Sequence, residues 1–257
     1  LGVIILARKE VRPFTDKQIR LVETFADQAV IAMENTRLFN ETQESLQQQT
    51  ASADILRVIS QSVSDTKPVF DKILESCKHL FHGDETDVLL VDEQGMLQLA
   101  AYDGKARAVV EATFPAPWEK TPAAPAIRDR RVVNYADVLN NPDTPPVLRR
   151  MGKRLGYHSV AFAPMVWEDR GIGVVGVARS GAAFTTKELT ILQGFADQAV
   201  IAIQNSRLFN ETQEALEQQK ASADVLEVIS GSMADAQPVF DIIAERAATL
   251  CNAIITA

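Results

Sequence analysis

The sequence contains few cysteines, no cluster of positive charge and no long apolar run. Its 257 residues include only Cys77 and Cys251, which form neither a disulfide framework nor a zinc pattern and favour a reducing compartment. The net charge is −8, and the lysines and arginines do not cluster, which argues against a nucleic-acid or anionic-membrane surface. No apolar run is long enough to span a bilayer. We therefore expect a cytoplasmic location and no membrane contact by this chain.

The sequence also has no recognisable catalytic or metal-binding motif. Residues 171–176 spell G-x-G-x-x-G, but these glycines open a strand, whereas a dinucleotide site requires a strand before them and a helix starting at them. His79 and His82 are three residues apart on a predicted helix, with no third ligand nearby. No phosphate-binding loop or acid–base pair is apparent. We expect no catalytic residue, no metal site and no enzymatic activity in this chain.

What the sequence does contain is a long internal repeat. Residues 14–80 align with residues 184–250 without a gap, and 40 of the 67 positions are identical. The offset of 170 residues is too long for a solenoid unit and fits a whole domain plus a connector. The sequence predicts a complete domain at 51–210, the last strand and connector helix of a preceding copy at 1–50, and a connector helix with the first part of a following copy at 211–257.

A long helix is predicted at equivalent positions of both copies. A Thr-x-x-Gln/Glu capping box begins each helix, at Thr15 and at Thr185. The second pattern continues to about Ser230, which corresponds to roughly 69 Å at 1.5 Å per residue. From Asn210 to Asp224 the helix is polar on nearly every face. Such a segment either bridges domains through solvent or forms a two-helix coil with a weak seam.

The other patterns predict an α+β domain with a largely antiparallel sheet. Residues 1–8, LGVIILAR, form an apolar run typical of a buried strand. Residues 103–130 are rich in proline and alanine and are expected to be less regular, and Pro238 predicts a further helix in the second copy. The elements predicted for the complete copy are helices at 68–82, near 122–129 and within 142–156, and strands at 86–91, 96–102, 131–135, 159–167 and 171–179.

The order of these elements and two stretches of sequence resemble the GAF domain, a sensory module of signalling proteins. The stretches are LGYHSVAFAPMVWEDRGIGVVGVAR at 155–179 and F-T-x-K-x7-FADQAVIAIQN at 184–205. The resemblance implies a six-stranded antiparallel sheet with helices on both faces. One face carries the first and last helices and often dimerises, and the other covers a ligand pocket. The repeat indicates tandem use of the domain, and the resemblance implies a bacterial two-component system with an output domain such as a histidine kinase.

The sequence disfavours three cofactors that this family is known to bind. A covalent bilin needs a cysteine between about 100 and 160, where there is none. Only a few members of the family hold haem through a histidine, and the candidate here is His158, just before a late strand. The Asn, Lys, Phe, Asp and Glu pattern of cyclic-nucleotide binders is poorly matched, with Leu189 in place of the final acid. The cofactor stays undetermined, with a small molecule as the open alternative.

The resemblance leads to two sets of candidate residues and three hypotheses. A ligand pocket is predicted from aromatic and polar side chains, which could instead simply fill a small core: Tyr102, Phe114, Trp118, Asn134, Tyr135, Asp137 and His158. A parallel homodimer is predicted through four residues of the closing helix: Leu192, Phe195, Ala199 and Phe209. The first hypothesis is a sensory module that relays ligand or partner state through the helices. The alternatives are a cyclic-nucleotide-binding input module of a cyclase or phosphodiesterase, and a ligand-free dimerisation scaffold.

Overall fold

The computed structural model describes residues 2–9 and 11–231 of the chain, with side chains as far as Asp224. The helix predicted to begin at Pro238 therefore lies outside the described residues, as does Cys251. The chain divides into two units, Leu1–Asp54 and Ile55–Ala257.

The first unit consists of a segment without regular structure and most of helix α1 (Asp16–Gln61). The Thr15 N–H donates to Gln18 Oε1 at 3.1 Å, so the predicted capping box forms at the start of α1. The strand predicted for residues 1–8 is wrong over the described residues 2–8, which have no strand conformation. A strand requires a neighbour that exchanges backbone hydrogen bonds with it, and the described chain pairs no strand with this segment.

The second unit begins in the last turns of α1 and contains the whole described sheet. Every helix and strand predicted between 68 and 179 is confirmed to within a few residues, whereas α3 and β3 lie in the stretch that was expected to be less regular. In chain order the elements are α2 (Lys67–Phe81), β1 (Glu85–Val91), β2 (Met96–Asp103), α3 (Arg107–Glu111), β3 (Ala116–Pro117), a 3-10 turn (Trp118–Lys120), α4 (Ala124–Asp129), β4 (Val133–Tyr135), α5 (Pro146–Leu155), β5 (Ser159–Trp167), β6 (Arg170–Arg179) and α6 (Thr186–Gly231).

Six strands form one antiparallel sheet in the order β3-β2-β1-β6-β5-β4. Tight turns join β1 to β2 and β5 to β6, as the sequence predicted. Pairing of β1 with β6 joins the two hairpins and places Asp87 opposite Gly176. The predicted fold class, α+β with a six-stranded antiparallel sheet flanked by helices, is confirmed.

Helix α6 closes the domain by packing on β5 and on α2. Phe195 of α6 contacts Phe81 of α2, with ring centroids 6.0 Å apart. The second predicted capping box forms at the start of α6, where the Thr185 N–H donates to Glu188 Oε2 at 2.7 Å and the Glu188 N–H donates to Thr185 Oγ1 at 3.2 Å. The cap fixes where α6 begins, and an apolar stripe that includes Leu192, Phe195 and Ala199 determines which face is buried.

Three of the four residues predicted to pair two chains lie in the core of their own domain. Leu192, Phe195 and Ala199 are buried because they face the sheet under α6, whereas Phe209 is 37% exposed. This placement corrects the predicted pairing surface, since buried core side chains cannot also contact a partner.

The second half of α6 is the polar segment that the sequence predicted. Residues 207–220 are helical, and all of them are exposed. Arg207 and Glu211 form an ion pair along the helix surface at 2.7 Å. None of the helices in the described part of the chain is long and apolar enough to cross a membrane.

Candidate functional site

A mostly apolar cavity of about 100 Å³ is the strongest candidate site in the described chain. Its walls come from the sheet on one side and from α3, α5 and the loop before α4 on the other. Leu148, Met151 and Leu155 line it from α5, where spacings of three and four residues place them on one helix face. Val160 and Phe162 line it from β5, because alternate residues of a strand share a face.

One end of the cavity is polar and is organised by Glu85. The Tyr102 hydroxyl donates to Glu85 Oε2, and the Lys105 N–H donates to Glu85 Oε1 at 3.1 Å. The Ala106 N–H donates in turn to the Tyr102 hydroxyl at 2.9 Å. Both oxygens of Glu85 are therefore satisfied by the protein, and Tyr102 is fixed at the cavity wall.

Asp87 stands two residues further along β1 and lacks such partners. Its Oδ1 is inaccessible to solvent and has no hydrogen-bond partner among the protein atoms. Gly176 lies opposite on β6, and a Cβ there would overlap Asp87 Oδ1, so the glycine makes room for the carboxylate. Burial, and secondarily the neighbouring charge of Glu85, raise the pKa of Asp87 to about 7.

Two tyrosines share this environment with the carboxylates. Burial raises the pKa of Tyr157 above its ordinary value, and the charges of Asp87 and Glu85 act in the same direction. Burial raises the pKa of Tyr102 as well, followed by its hydrogen bond to Glu85. Both phenols are therefore neutral at physiological pH, and the ionisable groups that matter at this end of the cavity are the two carboxyls.

Two of the seven predicted pocket residues, Tyr102 and Phe114, line the cavity. Trp118 and Tyr135 pack instead against the apolar cluster beside it. The Tyr135 hydroxyl donates to the Pro122 carbonyl at 3.0 Å, which fixes the ring against the cluster. These two aromatic side chains fill the core, which was the alternative interpretation of the predicted pocket residues.

The remaining three predicted residues lie away from the cavity. The Asn134 amide donates to the Phe184 carbonyl at 3.4 Å. Asp137 is exposed and accepts from Asn140 Nδ2 at 2.9 Å. His158 is exposed because its neighbour Tyr157 takes the inward position in an extended backbone.

Sequence reasoning overlooked Glu85 and Asp87 because it sought the pocket among residues 100–160. A signal was nevertheless present. Two acidic residues at i and i+2 fall on one face of a strand, and the rest of β1 is mainly apolar. Aspartate is depleted in strands and acidic residues are mostly exposed, so an acidic pair on one face of a mainly apolar strand is unusual.

The fold and the cavity allow the chain to be compared with known proteins. The family model for the GAF domain matches residues 65–203. This chain belongs to the GAF domain family. The match covers more than half of the chain and includes all six strands as well as the first part of α6. No curated protein matches this GAF chain.

Three solved structures illustrate the similarity. A GAF domain/HD domain protein from Geobacter sulfurreducens is 20% identical with a TM-score of 0.50, and the match covers 57% of this chain and 96% of that one. Residues 122 to 287 of a methyl-accepting chemotaxis protein are 24% identical with a TM-score of 0.50, covering 60% and 98%. A phycoerythrobilin-bound GAF domain from a cyanobacterial phytochrome is 18% identical with a TM-score of 0.51, covering 65% and 99%. Because all three identities are below 25%, the similarity shows only that these domains share the fold of this chain.

The cysteine and the metal-ligand side chains of the described GAF domain provide no further site. Burial raises the pKa of Cys77 far above its ordinary value, and the nearby charge of Asp87 adds to the effect, so this thiol is unreactive. Among the described residues no group of three or more histidine, cysteine, aspartate and glutamate side chains could hold a metal ion.

Proposed function

We propose that this chain is a sensory or regulatory module that binds a small molecule in the cavity and relays its occupancy through α6. In the parent protein the relay would act on an output domain such as a histidine kinase. Membership of the GAF family supports the sensory role. The similar domain from a methyl-accepting chemotaxis protein also favours a place in signalling.

The observation that carries this proposal is the short path from the cavity to α6. Val177 and Ala178 of β6 line the cavity. The next residue, Arg179, is buried and donates to Glu188 on the first turn of α6 at 2.6 Å. Arg179 also donates to the Phe81 carbonyl at the end of α2 at 2.9 Å. A ligand that displaces the end of β6 would therefore move the residue that fixes the start of α6.

We propose binding rather than catalysis at this site. Most of the lining is aliphatic or aromatic, and the residues described at the cavity wall include no histidine, cysteine, lysine or arginine. The described lining residues therefore provide no serine or cysteine activated by a histidine and no lysine nucleophile. The GAF domain would regulate an enzyme elsewhere in the parent protein.

We also propose that the flanking segments belong to neighbouring GAF copies. Phe25 and Phe195 occupy equivalent positions in the repeat, but Phe25 is 53% exposed whereas Phe195 is 1% exposed. An apolar stripe of this kind is selected to cover a sheet. The apolar face at the start of α1, which includes Phe25, would pack on the sheet of a preceding copy. The equivalent face of α6, which includes Phe195, packs on the sheet of its own domain.

The partner that we propose for α6 is a second copy of the chain. Phe209 and Leu216 are exposed, and their separation of seven residues places them on one face of the helix. A parallel pair of α6 helices would bury both side chains and would let two domains transmit their state together.

A cyclic nucleotide fits this cavity less well than a small molecule without a phosphate. Its phosphate would meet the carboxyl groups of Glu85 and Asp87, with no cationic side chain among the described lining residues. The volume of about 100 Å³ is also small for a nucleotide, because a cavity of about 150 Å³ holds one benzene molecule. A ligand-free scaffold is the second candidate, favoured by the aromatic side chains that fill the core beside the cavity.

A thermal-shift screen of the 257-residue chain separates these functions. The screen would contain small apolar amines, alcohols, acids and cyclic nucleotides. A ligand that binds only the folded state raises the unfolding temperature as its concentration rises. A sensory module predicts at least one small apolar compound with a saturable shift. Cyclic nucleotides as the sole hits would favour the input module of a cyclase or phosphodiesterase, and no hit would favour the scaffold.

A further inference from the structure

The polar end of the cavity specifies the chemistry of its ligand. Glu85 has protein donors for both oxygens, whereas Asp87 Oδ1 is buried and has none. A buried acceptor without a donor costs free energy, so native structures satisfy nearly all such groups. Oδ1 itself is inaccessible, but Asp87 lines the cavity and is half-buried, so a donor inside the cavity lies beside its carboxyl group and can offset this cost.

The charge at this end decides which donor fits best. Two carboxyl groups two residues apart on β1 make the local potential negative when either is ionised. An anionic group would be repelled, and a purely apolar molecule would bring no donor to the Asp87 carboxyl group. A hydrogen bond between a cation and a carboxylate is shorter and stronger than one between neutral groups.

The other walls restrict the rest of the ligand. Leu89, Leu148 and Phe162 present apolar surface, and the volume of about 100 Å³ is smaller than the cavity of about 150 Å³ that holds a benzene molecule. A second polar group placed against Leu89, Leu148 or Phe162 would lose its hydration without gaining a hydrogen-bond partner from these side chains. The fitting molecule has one cationic donor and a compact apolar body.

We propose that the cavity binds a small primary amine with a branched aliphatic or compact ring body, whose ammonium group donates to Asp87. This assignment rests on the proposed function, because it names the ligand class of the same sensory site. Gly176 contributes by leaving room for the Asp87 carboxylate, since any side chain there would overlap it. The equivalent position in the first copy of the repeat is Ile5, so the amine site belongs to the complete domain.

The test compares isobutylamine with isobutanol, which has nearly the same shape and no charge. The ¹⁵N-labelled 257-residue chain is titrated with each compound while its backbone amide resonances are recorded. The amine is expected to shift resonances at 85–89 and 148–155 and to bind at least about tenfold more tightly than the alcohol, as expected for a charge-assisted hydrogen bond.

Two variants locate the effect. Asp87→Asn keeps the shape of the side chain and is expected to weaken amine binding about 10- to 100-fold while leaving isobutanol nearly unchanged. Asp103→Asn is the matched control, because Asp103 forms an exposed ion pair with Lys78 outside the cavity. It is expected to change neither affinity. If Asp87→Asn does not fold, the comparison of the two compounds on the unaltered chain still decides the question.

The outcomes separate this inference from the proposed function. Equal binding of amine and alcohol in the cavity, or equal amine binding by Asp87→Asn, would overturn the amine assignment and leave a ligand-binding module. Shifts confined to exposed carboxylates would also overturn it. Failure of both compounds, together with a screen that yields no ligand, would overturn the assignment and the sensory function alike.

Discussion

At the scale of single residues, Asp87 links the candidate site to the stability of the domain. Its carboxyl group is buried beside Glu85, so ionisation costs more in the folded chain than in the unfolded one. A hydrophobic residue at this position would pack without any such free-energy cost of ionisation. Such groups are concentrated at functional sites, where an incoming ligand provides the missing interaction.

The raised pKa of Asp87 predicts that stability falls as the pH rises. The pKa is about 7 in the folded state and about 3.9 in the unfolded state, so the folded state binds more protons between these values. Stability from this group is complete below about pH 4 and is lost as the pH rises through 7. Asp87→Asn should gain stability relative to the unaltered chain across that window, by at most about 4 kcal/mol.

Urea denaturation of both chains between pH 5 and pH 8 measures this difference. The ionisable groups that face Asp87 are Glu85 on the same strand, Tyr102, Tyr157 and Cys77, and the last three are neutral throughout this range because burial raises their pKa values. A constant difference between the two chains at every pH would show that Asp87 does not titrate in this window.

Arg179 is a buried arginine whose loss should disturb the fold strongly. Its guanidinium donates to the carbonyl oxygens of Phe81 and Ala183 at 2.9 and 3.0 Å and to Glu188 at 2.6 Å. Arg179→Met leaves these acceptors without their donor and should lower the free energy of unfolding by about 3–5 kcal/mol. Urea denaturation at pH 7 measures the loss.

The matched control is Arg130→Met. Arg130 contacts Asp169, which is 95% exposed, and exposed ion pairs contribute at most about 1 kcal/mol. A similar loss in both variants would show that Arg179 stabilises the domain no more than a surface arginine does.

The site was only partly predictable from the sequence at this scale. Tyr102 was found because an aromatic residue in a strand of the pocket half is a sound candidate for a wall. Asp137 and His158 were polar residues in the same half, but their side chains point into solvent. Whether a side chain near a strand end faces the cavity depends on the register of β4 and β5, which residue type alone does not determine.

At the scale of elements, periodicity predicted most of the domain correctly. The paired strands β5 and β6 carry long apolar stretches, and a capping box marked the first turn of α6. The short elements α3 and β3 were not predicted, because five- and two-residue segments are too short to show a period. The apolar run 1–8 has the composition of a strand. Composition does not reveal whether a neighbouring strand is available to pair with it.

Replacing glycine with alanine is expected to change the free energy of unfolding in opposite directions in β6 and in α6. A Cβ at Gly173 would overlap the Leu89 carbonyl oxygen and come within 2.7 Å of Met165 Cε. Gly173→Ala should therefore lower the free energy of unfolding by about 1–3 kcal/mol. A Cβ at Gly194 meets nothing within 4 Å, so Gly194→Ala should raise it by about 0.5–1 kcal/mol through helix propensity.

Thermal unfolding of the two variants compares them directly. A loss of stability in both would indicate that α6 is more closely covered at Gly194 than the structure shows. A gain in both would contradict the close packing of β6 on β1, and with it the explanation of residues 171–176 as a packed strand.

At the scale of the whole molecule, the exposed face of α6 predicts self-association. Contacts through Phe209 and Leu216 should keep two chains associated at protein concentrations of tens of micromolar. Replacing both residues with glutamate should therefore shift the sedimentation coefficient towards that of the monomer. Leu208→Glu is the control, because Leu208 is also exposed but lies about 100° around the helix from Phe209. A monomeric unaltered chain, or equal dissociation by the control, would contradict pairing through this face.

The central claim is that occupancy of the cavity is transmitted to the helix that leaves the domain. Hydrogen–deuterium exchange of the 257-residue chain, with and without saturating isobutylamine or a hit from the screen, tests it most directly. We predict slower exchange at 85–91 and 146–155, around the cavity, together with altered exchange at the start of α6 and along 204–220. Protection confined to the cavity, with unchanged exchange throughout α6, would contradict the relay.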